Sequence, residues 1–276
     1  MEKFLIQKSN GEIVPFDEQK LLHALMRSGA RQDEAEKVLA DVRKILTDGI
    51  STRKIYQYAY RSLRRRSQKA AGRYRLKKAM MDLGPSGYPF EKFVAKLLEA
   101  QGYECRVNII QEGKCISHEL DVVAVKGNVR FMIECKYHSG TGKKSDVKVP
   151  LYIRSRFQDV KAVWENQYPE ENYYAMVVTN TRFTDDALQY ARCAGMKAVS
   201  WDYPEGNSLK NQIDKTGLHP ITTLGTLRKS EKQELMNQGI VLCRELIAQK
   251  DILNLMHIHQ PRINSIINEA REIIAG

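Results

Sequence analysis

Hydrophobic and polar positions along the chain change period twice, and each change marks a boundary. At the start, Phe4-Leu5-Ile6 and Ile13-Val14 are short apolar runs around Ser9-Asn10-Gly11, which signals a β-hairpin. Asp17 stands at the N-cap position of a helix with Leu21, Leu22, Leu25 and Met26 apolar, ending near Gly29. A second helix, about Asp33–Leu46, places Ala35, Val38, Leu39, Val42 and Ile45 on one face and stops at Asp48-Gly49. Ser51 or Thr52 caps a third, with Ile55, Tyr56, Ala59, Tyr60 and Leu63 on one side. Helical pattern then continues to Met81, where Gly84-Pro85-Ser86-Gly87 breaks it.

Beyond residue 87 a helix over Phe90–Gln101 leads into strand-like runs at Tyr103–Ile110, Glu119–Val125 and Val129–Tyr137. A helix about Val149–Asn166, a strand Tyr173–Thr179, a helix Thr184–Gly195 and a strand Lys197–Trp201 follow. Antiparallel strands followed by a β-α-β crossover predict an α/β sheet flanked by helices. From about His219 the pattern is helical, with one helix over Ser230–Gln249 and another over Gln260–Ala275. The expectation is an α/β chain with domains at 1–83 (a hairpin plus helices), 87–214 (a central sheet) and 219–276 (a helical bundle).

Charge adds a location to this picture. The net charge is +11, and residues 51–80 carry 11 basic and no acidic side chains, so the excess sits in that segment. Such placement points to one localised anionic partner rather than a uniformly basic coat. Arg61, Arg64, Arg65, Arg66 and Lys69 spread around a helix with Tyr56, Tyr58, Tyr60 and Tyr74 interleaved. They read as a clamp on a DNA backbone, or as a charged linker balanced by acidic surfaces elsewhere. Apolar residues at 42% exclude disorder throughout. A mean hydropathy of −0.47, with no run near the roughly 20 apolar residues of a membrane span, predicts no membrane partner. The first ten residues lack the pattern of a secretory signal. The five cysteines never fall within four residues of one another, which excludes the usual zinc pairings and fits a reducing cytoplasm.

The run Ile6-Gln7-Lys8-Ser9-Asn10-Gly11, then Val14-Pro15-Phe16-Asp17, Lys20, Gly29, Asp48-Gly49 and Ser51-Thr52, resembles an ATP-cone domain over about residues 1–83. The resemblance implies that Ile6, Lys8, Asn10, Gly11 and Lys20 embrace the triphosphate of ATP or dATP, with Thr52 and Tyr56 nearer base and sugar. A tight turn exposing N–H groups beside two lysines suits phosphates on physical grounds as well. Ser9 departs from the family, which usually carries a second basic residue there.

In Phe131–Tyr137 side chains alternate, so Met132, Glu134 and Lys136 share one face of the strand. Burying a Glu and a Lys there needs a partner or an ion. On the preceding strand Leu120, Val122 and Ala124 are expected on one face and Glu119, Asp121 and Val123 on the other, which brings Asp121 to Glu134 and Lys136. Phe90-Glu91 opening a helix, Asp121, Ile133-Glu134-Cys135-Lys136, and Thr179-Asn180-Thr181-Arg182-Phe183-Thr184 together resemble the PD-(D/E)XK nuclease fold, in its Mrr-type restriction-endonuclease branch. That resemblance implies catalytic roles for Glu91, Asp121, Glu134 and Lys136. Asp121, Glu134 and the carbonyl of Cys135 would hold Mg²⁺ or Mn²⁺, Lys136 would activate the attacking water, and Glu91 would complete the shell through water. Gln158 is a supporting candidate, His118 a structural or phosphate-facing residue, and Lys143 and Lys144 lie in a mobile loop able to touch the DNA backbone.

Together these readings predict a cytoplasmic, metal-dependent deoxyribonuclease of type II or IV restriction-endonuclease character, controlled by an adenine nucleotide and acting as a dimer or higher oligomer. The alternative is a catalytically silent, nucleotide-responsive DNA-binding regulator. A ribonucleotide reductase subunit fits poorly, since no cysteine pair lies near the chain's end.

Overall fold

The hairpin forms where the two apolar runs place it. In the computed structural model, which describes residues 4–8, 11–140 and 142–275, β1 (Leu5–Gln7) pairs antiparallel with β2 (Ile13–Pro15), Ile6 opposite Val14. Helix α1 (Glu18–Arg27) starts on Asp17, whose carboxylate accepts the Lys20 N–H. After α2 (Gln32–Arg43), β3 (Ile50–Ser51) adds parallel to β1. Two residues carry no visible alternation, which is why the sequence pattern does not show β3. Ser51 caps α3 (Thr52–Arg64) by accepting the Lys54 N–H. The helical pattern to Met81 is broken into three pieces, because Ser67 caps a new helix α4 (Gln68–Tyr74) before α5 (Leu76–Met81).

The central sheet is laid out as the alternation predicts. Helix α6 (Tyr88–Glu99) precedes β4 (Glu104–Glu112), β5 (Ser117–Lys126) and β6 (Val129–Lys136), an antiparallel run. Then come β7 (Lys144–Ser145), α7 (Lys148–Gln167), β8 (Asn172–Thr179), β9 (Arg182–Phe183), α8 (Asp185–Cys193), β10 (Lys197–Val199) and α9 (Leu209–Thr216). The five-stranded order is β10-β8-β6-β5-β4, with β8 parallel to both β6 and β10. Ile153, Phe157, Val160 and Trp164 of α7 bury against Leu120, Val123, Met132 and Val177. On β5, His118, Leu120 and Val123 are all buried, and Leu120 and Val123 belong to one cluster. Strict alternation forbids that, so the strand shifts face across Asp121 and Val122, correcting the expected grouping of Val123 with Asp121. Asn108, opposite this point on β4, has φ 51° and is skipped in the ladder between Val107 and Ile109.

The last stretch holds α10 (Lys229–Asn237), α11 (Cys243–Ala248), α12 (Ile252–Leu255) and α13 (Gln260–Ile274). The single helix expected over 230–249 does not form. Gly239, at φ 84°, ends α10 in a left-handed turn, with the Ile240 N–H returning to the Leu235 carbonyl. The chain divides into two compact units: residues 1–79 with 221–232 and 243–276, and residues 80–220 with 233–242. Within the first, α13 packs on α4 and α11, so the C-terminal helices share a unit with the cone-like helices. The approach is close: a Cβ on Gly72 would lie 2.7 Å from Ile273. Among the described residues no helix is long and apolar enough to cross a membrane.

Candidate active site

The β5–β6 register sets Val122 opposite Ile133, which carries Asp121 to the end of β6. There Asp121 Oδ2 accepts the Cys135 N–H at 2.7 Å. Glu134, whose side chain is 7% exposed, lies between two cations: Lys136 Nζ is 2.6 Å from Oε1, and Arg156 Nη1 is 2.6 Å from Oε2. Arg156 also donates through Nη2 to the Glu119 carbonyl, so one guanidinium joins α7 to both strands. Sequence reasoning missed Arg156; its signal is a basic residue flanking the buried stripe Ile153, Phe157 and Val160 on α7. Glu91, in the first turn of α6, belongs to the same acid group. Burial, and then the charges of Asp121, Glu119 and Glu134, push it up to about 7. Burial and the Glu134 charge push Asp121 up to about 6. Glu91, Asp121, Glu134 and Lys136 thus come together in the structure.

Other expectations resolve differently. His118 is buried and contacts Asp159 Oδ2 at 2.8 Å, and Asp159 also accepts the Cys115 and Ile116 N–H groups. That partnership, the His118 bond first, holds Asp159 down at about 2 and makes His118 an anchor of the β4–β5 turn on α7. Gln158 is exposed and its amide, turned oxygen-first, meets Arg154 rather than the acid group. The loop after Lys136, expected to be mobile, is fixed at its far end, since β7 pairs with β9 and Ser145 is buried. Lys143 and Lys144 stay exposed on it. Asn180, fully buried, accepts the His138 N–H and donates to the His138 carbonyl, steadying the chain just past Lys136.

A divalent cation suits this donor set on chemical grounds. The candidate side-chain ligands are carboxylates, raised at Glu91 and Asp121 by burial and then by their neighbours' charge, and a hard cation offsets both effects. Two carboxylates and a backbone carbonyl are fewer than a full side-chain cage, and among the described residues no group of three or more His, Cys, Asp or Glu is arranged to hold a metal. A folded-state pKa raised from 3.8 to about 6 means that ionised Asp121 penalises the folded state above that range. Asp121→Asn should therefore raise the metal-free melting temperature of this unit at pH 8 and lose that advantage at pH 4. Mg²⁺ should stabilise the wild type and leave the variant nearly unchanged. Scanning fluorimetry with EDTA or Mg²⁺ at both pH values checks this.

In the first unit, Ser51 pairs with Gln7, which sets Thr52 beside the strand carrying Ile6, with Lys8 just past its end. Lys8 Nζ is 3.0 Å from Glu12 and Lys20 Nζ 3.3 Å from Asp17, exposed pairs that a polyphosphate can displace. Gly11 takes φ 87°, and Tyr56 stacks on Tyr74 at 5.0 Å. Ile6 is buried, and Asn10 lies outside the described residues. The basic segment is partly engaged within its own unit. Arg66 pairs with Asp41 at 2.9 Å, Arg64 lies 3.7 Å from buried Glu269, and Lys69 donates to the Ala275 carbonyl. These three depart from the expected open clamp, because α2 and α13 supply their partners. Arg61 and Arg65 remain exposed.

The open sheet with Asp121, Glu134 and Lys136 at the edge of two strands defines a restriction-endonuclease-like domain, here in one chain with a hairpin-and-helix cone. Three family profiles agree: an ATP cone domain over residues 4–79, a restriction endonuclease domain over 84–203, and an AF1548-like C-terminal domain over 219–274. An uncharacterized protein of Archaeoglobus fulgidus is 34% identical over 182 residues, 66% of this chain and 99% of that protein. The crystal structure of the protein of unknown function AF1548 is 33% identical with a TM-score of 0.58, covering 69% of this chain and all of that one. The chain belongs to the AF1548-like family, and it joins an ATP cone to a restriction-endonuclease domain.

Proposed function

We propose that this protein is a Mg²⁺- or Mn²⁺-dependent DNA endonuclease whose activity is set by ATP or dATP at the cone. The observation that carries the reading is the convergence of Asp121, Glu134 and Lys136 where β5 meets β6. Asp121, Glu134 and the Cys135 carbonyl would hold the cation, which would polarise the scissile phosphate and the attacking water. Lys136 orients that water and balances charge developing on the phosphate. Glu91, raised to about 7, exchanges a proton with water near neutrality. Lys143 and Lys144 contact the DNA backbone. In the cone, Ile6, Lys8, Asn10, Gly11 and Lys20 take the triphosphate, with Thr52 and Tyr56 toward sugar and base. A cytoplasmic home, supported by five free cysteines, and a dimer that cuts both strands belong to the same reading.

Incubation of the purified protein with supercoiled plasmid tests it. Nicked and linear DNA should form with Mg²⁺, vanish with EDTA, and form at a different rate when ATP or dATP is added. Salt-dependent DNA binding without cutting under Mg²⁺ or Mn²⁺ would replace this reading with that of a silent regulator.

A further inference from the structure

The cone carries an open cavity of about 560 Å³ between α3 and the turn at residues 47–50, which bonds to the start of β1. Lys54, Tyr58 and Arg61 line it from the helix, and Thr47, Asp48 and Gly49 from the turn. With 3.6 residues per turn, Lys54, Tyr58 and Arg61 fall on one side of α3, nearly opposite Thr52 and Tyr56. The cavity is therefore separate from the face of α3 assigned to the hairpin's nucleotide.

Its lining is net positive, two cations against one carboxylate. Lys54 and Arg61 are both exposed, and among the described residues neither forms an ion pair, whereas Arg64 and Arg66 farther along the segment do. Asp48, the acid in the lining, is already engaged, since its Oδ1 accepts the Leu5 N–H at 2.8 Å. Gly49 holds φ 80° with nothing within 4 Å of a Cβ position, so the turn leaves the cavity floor open. Tyr58, half-buried against the core of the unit, offers a ring held in place at the wall. A cavity of this size suits a small molecule. Two cations without acid partners suit phosphates, and a fixed aromatic face suits a base.

We infer that this cavity is a second ligand site on the cone, taking a nucleoside phosphate with its phosphoryl groups on Lys54 and Arg61 and its base on Tyr58. Arg61, a member of the basic segment, thereby serves a small-molecule site rather than a DNA backbone. The inference does not depend on the hairpin site, and the experiment separates the two.

Isothermal titration of the full chain with ATP should give two sites. Lys8→Ala with Lys20→Ala should leave one of them. Adding Lys54→Ala and Arg61→Ala to that background should weaken the remaining site about tenfold or more, as expected for charge-assisted phosphate contacts. Both side chains are exposed, so the fold should tolerate the change, and Lys54→Gln alone, which removes one charge but keeps a polar end, should give a smaller loss in the same direction. ATP binding of unchanged stoichiometry and affinity in the Lys54→Ala/Arg61→Ala protein overturns the second site. An unaltered titration in the Lys8→Ala/Lys20→Ala protein would instead remove the hairpin assignment.

Discussion

Lys136→Ala should lower Mg²⁺-dependent plasmid cleavage by about 10²- to 10³-fold, the usual loss when one preorganised charge-stabilising donor is removed. DNA affinity should change little. The geometry explains why the loss falls on chemistry rather than on folding. Glu134 is buried, but its two oxygens have separate partners, Lys136 on Oε1 and Arg156 on Oε2. Without Lys136 the carboxylate still meets Arg156, so no buried charge is stranded. Lys136 is 34% exposed where Arg156 is 11% exposed, which places the ammonium on the side open to solvent and substrate. Arg156→Ala should behave differently: it removes the bond to the Glu119 carbonyl as well and should lower the melting temperature along with activity. A first-order rate of plasmid nicking, with gel-shift affinity alongside, separates the two variants. If Lys136→Ala cuts at the wild-type rate, Lys136 is only an ion-pair partner of Glu134.

The sequence reveals the parts of this site that depend on local period. Glu134 and Lys136 are two residues apart on a strand, so their shared face follows from the pleat alone. Asp121 could be placed beside them because adjacent strands in an antiparallel run must pair. The shift of β5 at Asp121 was not legible, because it lies opposite irregular backbone at Asn108, on a different strand. Arg156 was not legible as a site residue, because its reach to Glu134 is set by how α7 lies on the sheet. The basic segment shows the same limit. Its charge is evident in the sequence, but the partner of Arg64 sits on α13 and that of Lys69 at its C-cap, Ala275, at a sequence separation of 206. Helix starts were legible at the caps Asp17 and Ser51, but not at Ser67, whose cap lies inside an unbroken helical pattern. The break at Gly239 was not, because Leu235, Leu242 and Leu246 keep a plausible apolar face across it.

The largest loss of stability should come from Glu269→Ala, by about 3–5 kcal/mol in the first unit, the range for breaking a buried charge network. Glu269 is 2% exposed, and its two oxygens accept the Gly225 N–H at 2.9 Å and the Thr226 N–H at 2.8 Å, with Arg64 at 3.7 Å. Alanine leaves both part-buried N–H groups without their acceptor, each costing up to about 1–3 kcal/mol. The surroundings leave no room to recover by shifting: a Cβ on Gly225 would already lie 2.6 Å from the Arg64 guanidinium and 2.7 Å from the Tyr60 hydroxyl. Glu269→Gln should cost less, since its amide oxygen still serves one donor. Arg64→Ala should cost about 1 kcal/mol or less, because Arg64 is a third exposed and its contact is long. Urea unfolding followed by tryptophan-independent far-UV circular dichroism would rank the three. The order matters for the basic segment, since a DNA-binding loss in Arg64→Ala at near-wild-type stability speaks for a phosphate contact. If Arg64→Ala proves as destabilising as Glu269→Ala, Arg64 belongs to the fold of this unit, and the backbone N–H groups are not what Glu269 is there to satisfy.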